Sequence, residues 1–375
     1  MENHSSSPRR GPLAGLRIVE FAGLGPGPFA CMLLSDMGAE VVRIDRPNAP
    51  PMSPLDIVGR GRQTVLLDLK RSEAIEQVLQ LLEKADALVE GFRPGVMERL
   101  GLGPQIVAQH NPRLVYGRMT GWGQYGPLAQ AAGHDINYIA VAGALATIGE
   151  TGRGPVPPLN LVGDYGGGSL YLVSGLLAAL LHARTTGEGQ VVDAAICDGV
   201  LSLLSNNLSH RLRGLYRGER SGNMLDGGAP YYTTYETADN RHVAVGPIEP
   251  QFFSLLCQQL DLPDDLRDAQ NDRARWHLLR DAIATAFRQR TLAEWRLRIE
   301  GSDSCFAPVL TLEEAQQHPH LQSRKSFENV DGVTHIAPAP RFSRTPGHIQ
   351  SPAGVLPVDV SVVMARWQKN SSNQQ

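Results

Sequence analysis

A glycine-rich turn between a strand-like and a helix-like segment constrains the fold of this chain more than any other feature. The turn reads FAGLGPGPFA at residues 21–30. The segments around it are, in order, a predicted strand at 16–22, a predicted helix at 29–37 and a second strand at 40–45. This order predicts the first unit of a parallel sheet that binds a nucleotide at its turn. Gly23 and Gly25 fit the dinucleotide motif G-x-G-x-x-G, whereas Pro28 replaces the third glycine.

Strand-like and helix-like segments continue to alternate through the first half of the chain. Further strands are predicted at residues 64–70, 87–91 and 114–117. Ser72 is the expected N-cap of a helix that follows the first of these strands. The alternation predicts an α/β fold of the Rossmann-like type, with a parallel sheet and helices on both of its faces.

The pattern changes after about Tyr216 and indicates a smaller α+β domain. Residues 235–238 and 242–245 flank a turn and predict a β-hairpin. Capping boxes predict two helix starts, at Thr291 with Glu294 and at Thr311 with Glu314.

Composition excludes several classes of protein. The formal net charge of −3 argues against a nucleic-acid partner. The four cysteines form no C-x-x-C pair and indicate a reducing compartment, which with the polar N-terminus makes the cytoplasm the expected location. The longest apolar run, residues 169–181, is too short to span a bilayer, so no membrane partner is expected.

Four cationic residues lie near the predicted ends of strands. Arg46 follows the glycine turn by roughly 20 residues, where a carboxylate would suit NAD and an arginine suits the phosphorylated ribose of NADP or coenzyme A. A surface ion pair with Asp45 would explain Arg46 equally well. Lys70, Arg93 and Arg99 follow other strands. Because open α/β sheets bind ligands at the carboxyl ends of their strands, the four cations together predict a polyphosphate site.

Three further residues are candidates for chemistry. His134 lies in AGHDINY, Asp164 lies beside three glycines in LVGDYGGGS, and Glu249 lies between two prolines. Each also has a structural explanation, as a helix-capping histidine, an N-cap aspartate and an exposed turn. The glycines beside Asp164 are harder to explain structurally, because they destabilise a helix and permit close approach by a ligand. The motifs of zinc proteases, α/β-hydrolases and P-loop enzymes are all absent.

Taken together, segments spread over residues 11–344 resemble the α-methylacyl-CoA racemases, a branch of the class III CoA-transferase superfamily. The matching segments are VEFAGLGPGPFA, VVRIDRP, LLDLK, ERLGLGP, RMTGWGQ, AGHDINY, PLNLVGDYGGG, GQVVDA, NMLDGGAPYYTTY, AVGPIEPQF, QNDRARW and APRFSR. They occur in order along nearly the whole chain.

The resemblance implies a large Rossmann-like domain, a small domain and an interlocked homodimer whose active site combines both chains. With it we divide the chain into a disordered tail at 1–10, a large CoA-binding domain at 11–200, a linker at 201–224, a small α+β domain at 225–328 and a C-terminal segment at 329–375 that returns to the large domain. The implied acyl-CoA contacts are Arg46, Leu67, Asp68, Leu69, Lys70, Arg93, Arg99, Gly133, Asp135, Ile136, Asn137 and Tyr138.

The implied catalytic residues are His134 and Asp164, with Glu249 as a supporting carboxylate. Inverting a carbon α to a thioester requires one acid–base group on each face of a planar enolate. Histidine suits either role, and aspartate becomes a useful acid when buried. Backbone N–H groups near Asp164 are the expected donors to the enolate oxygen. No cofactor or metal is expected, because CoA is part of the substrate.

Three alternatives remain open from the sequence. A CoA-transferase of the same superfamily would use Asp164 as a nucleophile and would not need His134. An NADP-dependent oxidoreductase would explain Arg46 but not Pro28. A non-catalytic acyl-CoA-binding protein would not need His134, Asp164 and Glu249 together. The acyl group stays unidentified, with Met119, Met224 and Leu225 as candidate contacts.

Overall fold

The structure is a computed structural model that describes residues 9–216 and 220–372. Its described residues form two compact units. We call residues 9–142, 158–203 and 322–372 the sheet unit, and residues 143–157, 204–216 and 220–321 the second unit.

The described residues form eleven β-strands and fifteen α-helices, besides shorter 3-10 and π-helical segments. The strands are β1 Arg17–Phe21, β2 Glu40–Asp45, β3 Arg62–Leu66, β4 Ala87–Glu90, β5 Val115–Thr120, β6 Val191–Ala195, β7 Thr233–Glu236, β8 His242–Val245, β9 Phe306–Pro308, β10 Phe327–Val330 and β11 Val333–Ile336. The α-helices are α1 Pro26–Asp36, α2 Ser72–Leu82, α3 Val96–Arg99, α4 Pro104–His110, α5 Asp135–Val141, α6 Leu170–Thr186, α7 Ile196–Leu203, α8 Ser205–Leu212, α9 Pro250–Gln259, α10 Asp264–Arg267, α11 Trp276–Phe287, α12 Leu292–Ile299, α13 Leu312–Gln317, α14 Pro319–Ser323 and α15 Val360–Ser372.

The sheet unit contains a six-stranded parallel sheet in the order β3-β2-β1-β4-β5-β6. This is the strand order of a dinucleotide-binding fold, so the predicted α/β class with a parallel sheet is confirmed. Strand β3 begins earlier than predicted and ends at Leu66, which leaves residues 67–70 beyond the strand. Ser72 is the first residue of α2, and Arg71 occupies the N-cap position.

The core of the sheet unit includes part of the C-terminal segment. Val19, Val42 and Leu88 are fully buried on the central strands. Trp367 and Val363 of α15 are buried in the same apolar cluster. Burying one such aliphatic side chain stabilises a fold by about 1.5–3 kcal/mol. Helix α15 is therefore part of the sheet unit's core.

Two buried ion pairs connect β1 and α1, which flank the glycine turn, to residues 60–62. Arg62 forms an ion pair with Glu20 at 3.0 Å, and its guanidinium also donates to the backbone carbonyls of Pro28 and Val58. Arg60 pairs with Asp36 in the same way. These contacts satisfy guanidinium groups that would otherwise be costly to bury, and they hold α1 against the sheet.

The predicted domain boundaries differ from the two units in several places, among them the end of the small domain, predicted at residue 328 and found at Leu321. Residues 1–8 of the predicted tail lie outside the described residues, but Arg9 is anchored by hydrogen bonds from its guanidinium to the carbonyls of Ala39 and Gly61. The predicted linker contains α8. Residues 143–157 group with the second unit. There the Arg220 guanidinium donates to the carbonyls of Ala146 and Arg153.

The second unit carries a three-stranded antiparallel sheet in the order β7-β8-β9. The predicted hairpin is therefore present. The two predicted capping boxes are confirmed, because the hydroxyls of Thr291 and Thr311 accept hydrogen bonds from the N–H groups of Glu294 and Glu314. An apolar cluster that includes Phe253, Ile283 and Trp295 forms the core.

A continuous helical run, Leu161–Thr186, is longer than the apolar segment seen in the sequence. Its length and composition would allow it to cross a membrane, but half of its most apolar stretch is buried inside the protein. Leu172, Leu176 and Leu180 are among the buried residues of α6. Burial of this kind is typical of a core helix.

A buried carboxyl group ends strand β4. The Oε2 atom of Glu90 accepts a hydrogen bond from the Phe92 N–H at 2.8 Å, and its Oε1 atom lies 3.5 Å from Nε of Arg118. Burial raises the pKa of Glu90 to about 7, against the opposing effects of the Phe92 N–H and of Arg118. Glu90 is therefore protonated in the folded state at pH values where the unfolded chain has lost that proton.

We expect the free energy of unfolding to fall as pH rises, because of the raised pKa of Glu90. Between about pH 4.5 and pH 7 the folded state retains a proton that the unfolded state releases, so the free energy of unfolding falls by roughly 3 kcal/mol. Glu90→Gln should lose this dependence. Urea unfolding across that range measures it, with the exposed Glu313→Gln as a control. Parallel curves for wild type and Glu90→Gln would show the expectation to be wrong.

Candidate active site

His134 stands at the start of α5, where the backbone cap leaves its ring at the surface. The His134 N–H donates to Oδ1 of Asn137 at 3.0 Å, and the His134 carbonyl accepts from the Asn137 N–H at 2.8 Å. The side chain of His134 is exposed. Asn137, placed in the sequence among the acyl-CoA contacts, thus positions the histidine backbone.

Asp164 lies inside a π-helical segment, Leu161–Ser169, that continues into α6. The expectation that Asp164 lies at or just before a helix N-terminus is therefore wrong, since the helical run begins at Leu161. Glycines explain the difference, because they permit packing that side chains would block. A Cβ atom on Gly167 would lie 2.7 Å from Cγ2 of Val200. Wide helical turns of this kind are frequent at functional sites.

A hydrogen bond joins the histidine and aspartate segments. The Asp164 N–H donates to Oδ2 of Asp135, the residue after His134, at 2.7 Å. The structure therefore brings His134 and Asp164 together in the sheet unit. The same bond occupies the Asp164 N–H, so this one group is not free to hold an enolate oxygen, and donation by other N–H groups near Asp164 stays a prediction.

The surroundings of the Asp164 carboxyl group favour its protonated form. Burial raises its pKa most, and the negative charge of Asp135 raises it further. A hydrogen bond from the Asn160 side chain and the positive form of His134 act in the opposite direction. Asn160 was missed in the sequence, where only its position one helical turn before Asp164 could have drawn attention to it.

The glycine turn approaches the Asp164 carboxylate. A Cβ atom on Gly25 would lie 3.1 Å from Oδ2 of Asp164, and Gly25 has a φ of 70°, which disfavours other residues. Phe29 of α1 stacks on Tyr165 with ring centroids 4.2 Å apart. Gly25 thus keeps open the space beside Asp164, a role that the sequence motif did not reveal.

Three of the cations predicted to bind polyphosphate follow the carboxyl ends of strands in the sheet. Arg46, Lys70 and Arg93 follow strands β2, β3 and β4, and all three side chains are exposed. The carboxylate of Asp45 forms an ion pair with Arg43 at 2.8 Å. Arg46 donates its backbone N–H to this carboxylate, and its guanidinium does not pair with it. The explanation of Arg46 as the ion-pair partner of Asp45 is therefore wrong. Arg99 is exposed on α3.

Several of the other predicted contact residues have side chains that pack within the protein. Leu67 and Tyr138 are buried, and the Tyr138 hydroxyl donates to the Gly133 carbonyl. The Asp68 carboxylate accepts the Lys70 N–H at 3.1 Å. Leu69 is half-buried against the core, whereas Ile136 is 43 % exposed. A ligand would reach the buried members through their backbone.

Glu249 belongs to the second unit, where it is the exposed N-cap residue of α9. Its carbonyl accepts hydrogen bonds from the N–H groups of Phe252 and Phe253. Burial raises the pKa of the Cys305 thiol, and the charge of Glu249 adds to that effect. The support of His134 by Glu249 stays a prediction.

A cavity of about 480 Å³ lies in the second unit and contains no residue predicted for the site. Two of its lining residues form ion pairs within the protein, Arg241 with Glu314 and His318 with Glu300. Among residues 9–216 and 220–372, no group of three His, Cys, Asp or Glu side chains is placed to hold a metal ion.

The strand order defines an α/β protein of the nucleotide-binding type, with Asp164 beside its glycine turn and His134 near Asp164. The model of CoA-transferase family III matches residues 13–357. The chain therefore belongs to CoA-transferase family III.

Similar proteins agree with this membership. The chain is 44% identical to an alpha-methylacyl-CoA racemase of Mus musculus over 89% of this chain and 87% of that protein. The alpha-methylacyl-CoA racemase of Homo sapiens is also 44% identical, with the same coverage of both chains. A solved structure of a hypothetical protein from Mycobacterium tuberculosis superposes with a TM-score of 0.79 at 26% identity, over 96% of this chain and 100% of that one.

Proposed function

We propose that this protein is a racemase that interconverts the (R) and (S) forms of 2-methylacyl-CoA thioesters. The observation that carries the proposal is the placement of His134 beside Asp164, in a chain 44% identical to alpha-methylacyl-CoA racemases. The thioester carbonyl makes the α-proton removable by delocalising the resulting charge as an enolate. One side chain removes that proton, and the other returns a proton to the opposite face.

The environment of each side chain suits its role. The raised pKa of Asp164 keeps its carboxyl group protonated to a higher pH than that of a solvated aspartate, so a proton is available for donation. The imidazole of His134 is exposed and can reach a bound substrate. In one direction Asp164 ends protonated and His134 ends neutral, and the reverse direction restores both groups. The chemistry as proposed needs no metal or redox cofactor, because the thioester itself stabilises the carbanion.

The α-deuterium exchange of a 2-methylacyl-CoA in heavy water tests the proposed function. We expect wild-type enzyme to incorporate one deuterium at the α-carbon while an optically pure substrate loses its optical purity. Retention of both the α-proton and the optical purity would contradict the proposal.

Exposed cations at the strand ends support CoA binding. Arg46 and Lys70 are exposed beyond neighbouring strands β2 and β3, where parallel sheets bind phosphate-bearing ligands. A charge-assisted contact to phosphate is among the stronger hydrogen bonds of proteins. We infer that these side chains hold the phosphates of the CoA moiety.

Arg46→Gln and Lys70→Gln should each raise KM for an acyl-CoA by about tenfold and leave kcat nearly unchanged, because binding to a remote phosphate is equal in ground and transition states. Steady-state racemisation measures both constants. The exposed Arg153, which pairs with Glu150, provides the control Arg153→Gln. An acyl-pantetheine substrate, which lacks the nucleotide phosphates, should not distinguish the variants from wild type. A changed kcat with unchanged KM would contradict phosphate binding.

A second candidate function is a CoA-transferase with Asp164 as nucleophile, and the family to which the chain belongs supports it. The adjacent histidine favours the racemase, since an acyl-aspartyl intermediate needs no acid–base group across the substrate. Trapping of an Asp164 adduct with hydroxylamine in the presence of an acyl-CoA and an acceptor acid would reverse this order.

We also propose that two copies of the chain form a homodimer, with Glu249 supporting His134 in the assembled site. Helix α8 of the second unit has no buried residue, and its Leu208 and Leu212 are exposed, which suits a surface covered by another chain. Light scattering tests the dimer, and a monomer at micromolar concentration would contradict it.

Two of the candidate acyl contacts differ in accessibility. Leu225 is exposed whereas Met119 is buried in β5, so Leu225 is the more accessible of the two.

A further inference from the structure

The side chain of Asp135 is buried beside the proposed acid–base pair, although its neighbours His134 and Ile136 are exposed. Asp135 is 7% exposed and begins α5 directly after His134. Its Oδ2 atom accepts the Asp164 N–H at 2.7 Å, and its Oδ1 atom is buried without a hydrogen-bond partner among the described residues. A carboxylate placed in this way has no free path to a substrate phosphate, which argues against its role as an acyl-CoA contact.

Backbone packing around Asp135 is too close to be incidental. A Cβ atom on Gly163 would lie 2.4 Å from Oδ2 of Asp135, so glycine at 163 is required for this carboxylate to reach the Asp164 N–H. Gly163 itself is buried. One side chain therefore links the residue after the histidine to the backbone of the aspartate.

We propose that Asp135 is a positioning residue, whose buried carboxylate fixes the Asp164 segment relative to His134 and keeps a second negative charge beside the Asp164 carboxyl group. The proposal rests on the racemase function. The bond from the Asp164 N–H sets the geometry, and the charge sets the proton affinity. Asp135 and His134 are the charged groups that act on Asp164, and Asp164 and Asp135 in turn raise the pKa of the nearby Tyr138 hydroxyl.

The two effects can be separated because asparagine retains an acceptor oxygen but no charge. Asp135→Asn should keep the Asp164 N–H bonded, whereas Asp135→Ala leaves that N–H without its partner. Misplacement of a reacting group by about 1 Å reduces rates on the order of 100-fold. We therefore expect Asp135→Ala to lose about 100-fold in kcat, and Asp135→Asn to recover most of that loss.

The charge effect predicts a pH shift with a defined sign. Removal of the Asp135 charge removes an influence that raises the pKa of Asp164. In the direction where Asp164 is the base, it must be ionised, so the acid limb of the kcat profile should move to lower pH in Asp135→Asn. A residue that only stabilises the fold would not move this limb.

The experiment measures α-deuterium exchange of both enantiomers of a 2-methylacyl-CoA against pH, for wild type, Asp135→Asn and Asp135→Ala. For one enantiomer, the acid limb of the kcat profile of Asp135→Asn should lie at lower pH than that of wild type. Asp135→Ala should lose kcat, and KM should be unchanged in both variants. An identical pH profile in a folded Asp135→Asn variant would overturn the positioning role, as would a raised KM with normal kcat. Wild type without exchange would instead overturn the proposed function.

Discussion

Replacement of Asp164 by alanine is expected to abolish racemisation while leaving the protein folded. The carboxyl group of Asp164 is half-buried on the π-helical segment, and Gly25 leaves space beside it. Its loss removes one of two proton carriers, and a positioned acid–base group contributes about 100- to 10 000-fold to rate. Loss of optical purity of a single enantiomer in water measures the effect.

The exposed Asp281→Ala on α11 serves as a control for the general effect of removing an aspartate. Thermal unfolding should give similar midpoints for wild type and Asp164→Ala, because a group whose pKa is raised by burial does not stabilise the folded state in its charged form. If Asp164→Ala racemised the substrate at the wild-type rate, another residue would have to carry the proton.

Replacement of His134 by glutamine should reduce racemisation by a similar factor, again about 100- to 10 000-fold. Because the cap of α5 is formed by the His134 backbone with Asn137, the helix start should survive the change. The measurement is the same, and the exposed His182→Gln on α6 is the matched control.

This second variant separates the two candidate functions. A transferase that uses Asp164 as a nucleophile would lose activity in Asp164→Ala but keep most of it in His134→Gln. A racemase would lose activity in both. Unchanged racemisation in His134→Gln would show that the histidine has only a structural role.

Much of the sheet unit could be predicted from the sequence because its signals are local. The Glu40–Asp45 strand has the predicted bounds, since its apolar residues Val41, Val42 and Ile44 are buried on both faces of a parallel sheet. The capping boxes of the second unit are equally local, because side chain and backbone lie three residues apart.

The site could be predicted in its residues but not in its geometry. Asp164 was expected near a helix start, and local glycines gave no sign that the helix would begin earlier and widen. The contact from Asp135 to the Asp164 N–H joins residues 29 positions apart and depends on Gly163 having no side chain. Such tertiary contacts leave no periodic pattern in a sequence.

Grouping of residues 143–157 with the second unit had a similar cause. Hydrogen bonds from Arg220 and Ser221 to residues more than 60 positions earlier hold this segment. The segment is rich in glycine and proline, which indicates a loop but not the unit that the loop joins.

Crossed deuterium exchange tests most directly whether His134 and Asp164 act on opposite faces of the substrate. Each single variant is incubated in heavy water with pure (R) or pure (S) 2-methylacyl-CoA, and deuterium at the α-carbon is measured. The remaining group should exchange only the enantiomer whose proton faces it, so we predict that His134→Ala and Asp164→Ala exchange opposite enantiomers without racemising either. Exchange of the same enantiomer by both variants would contradict the two-sided arrangement.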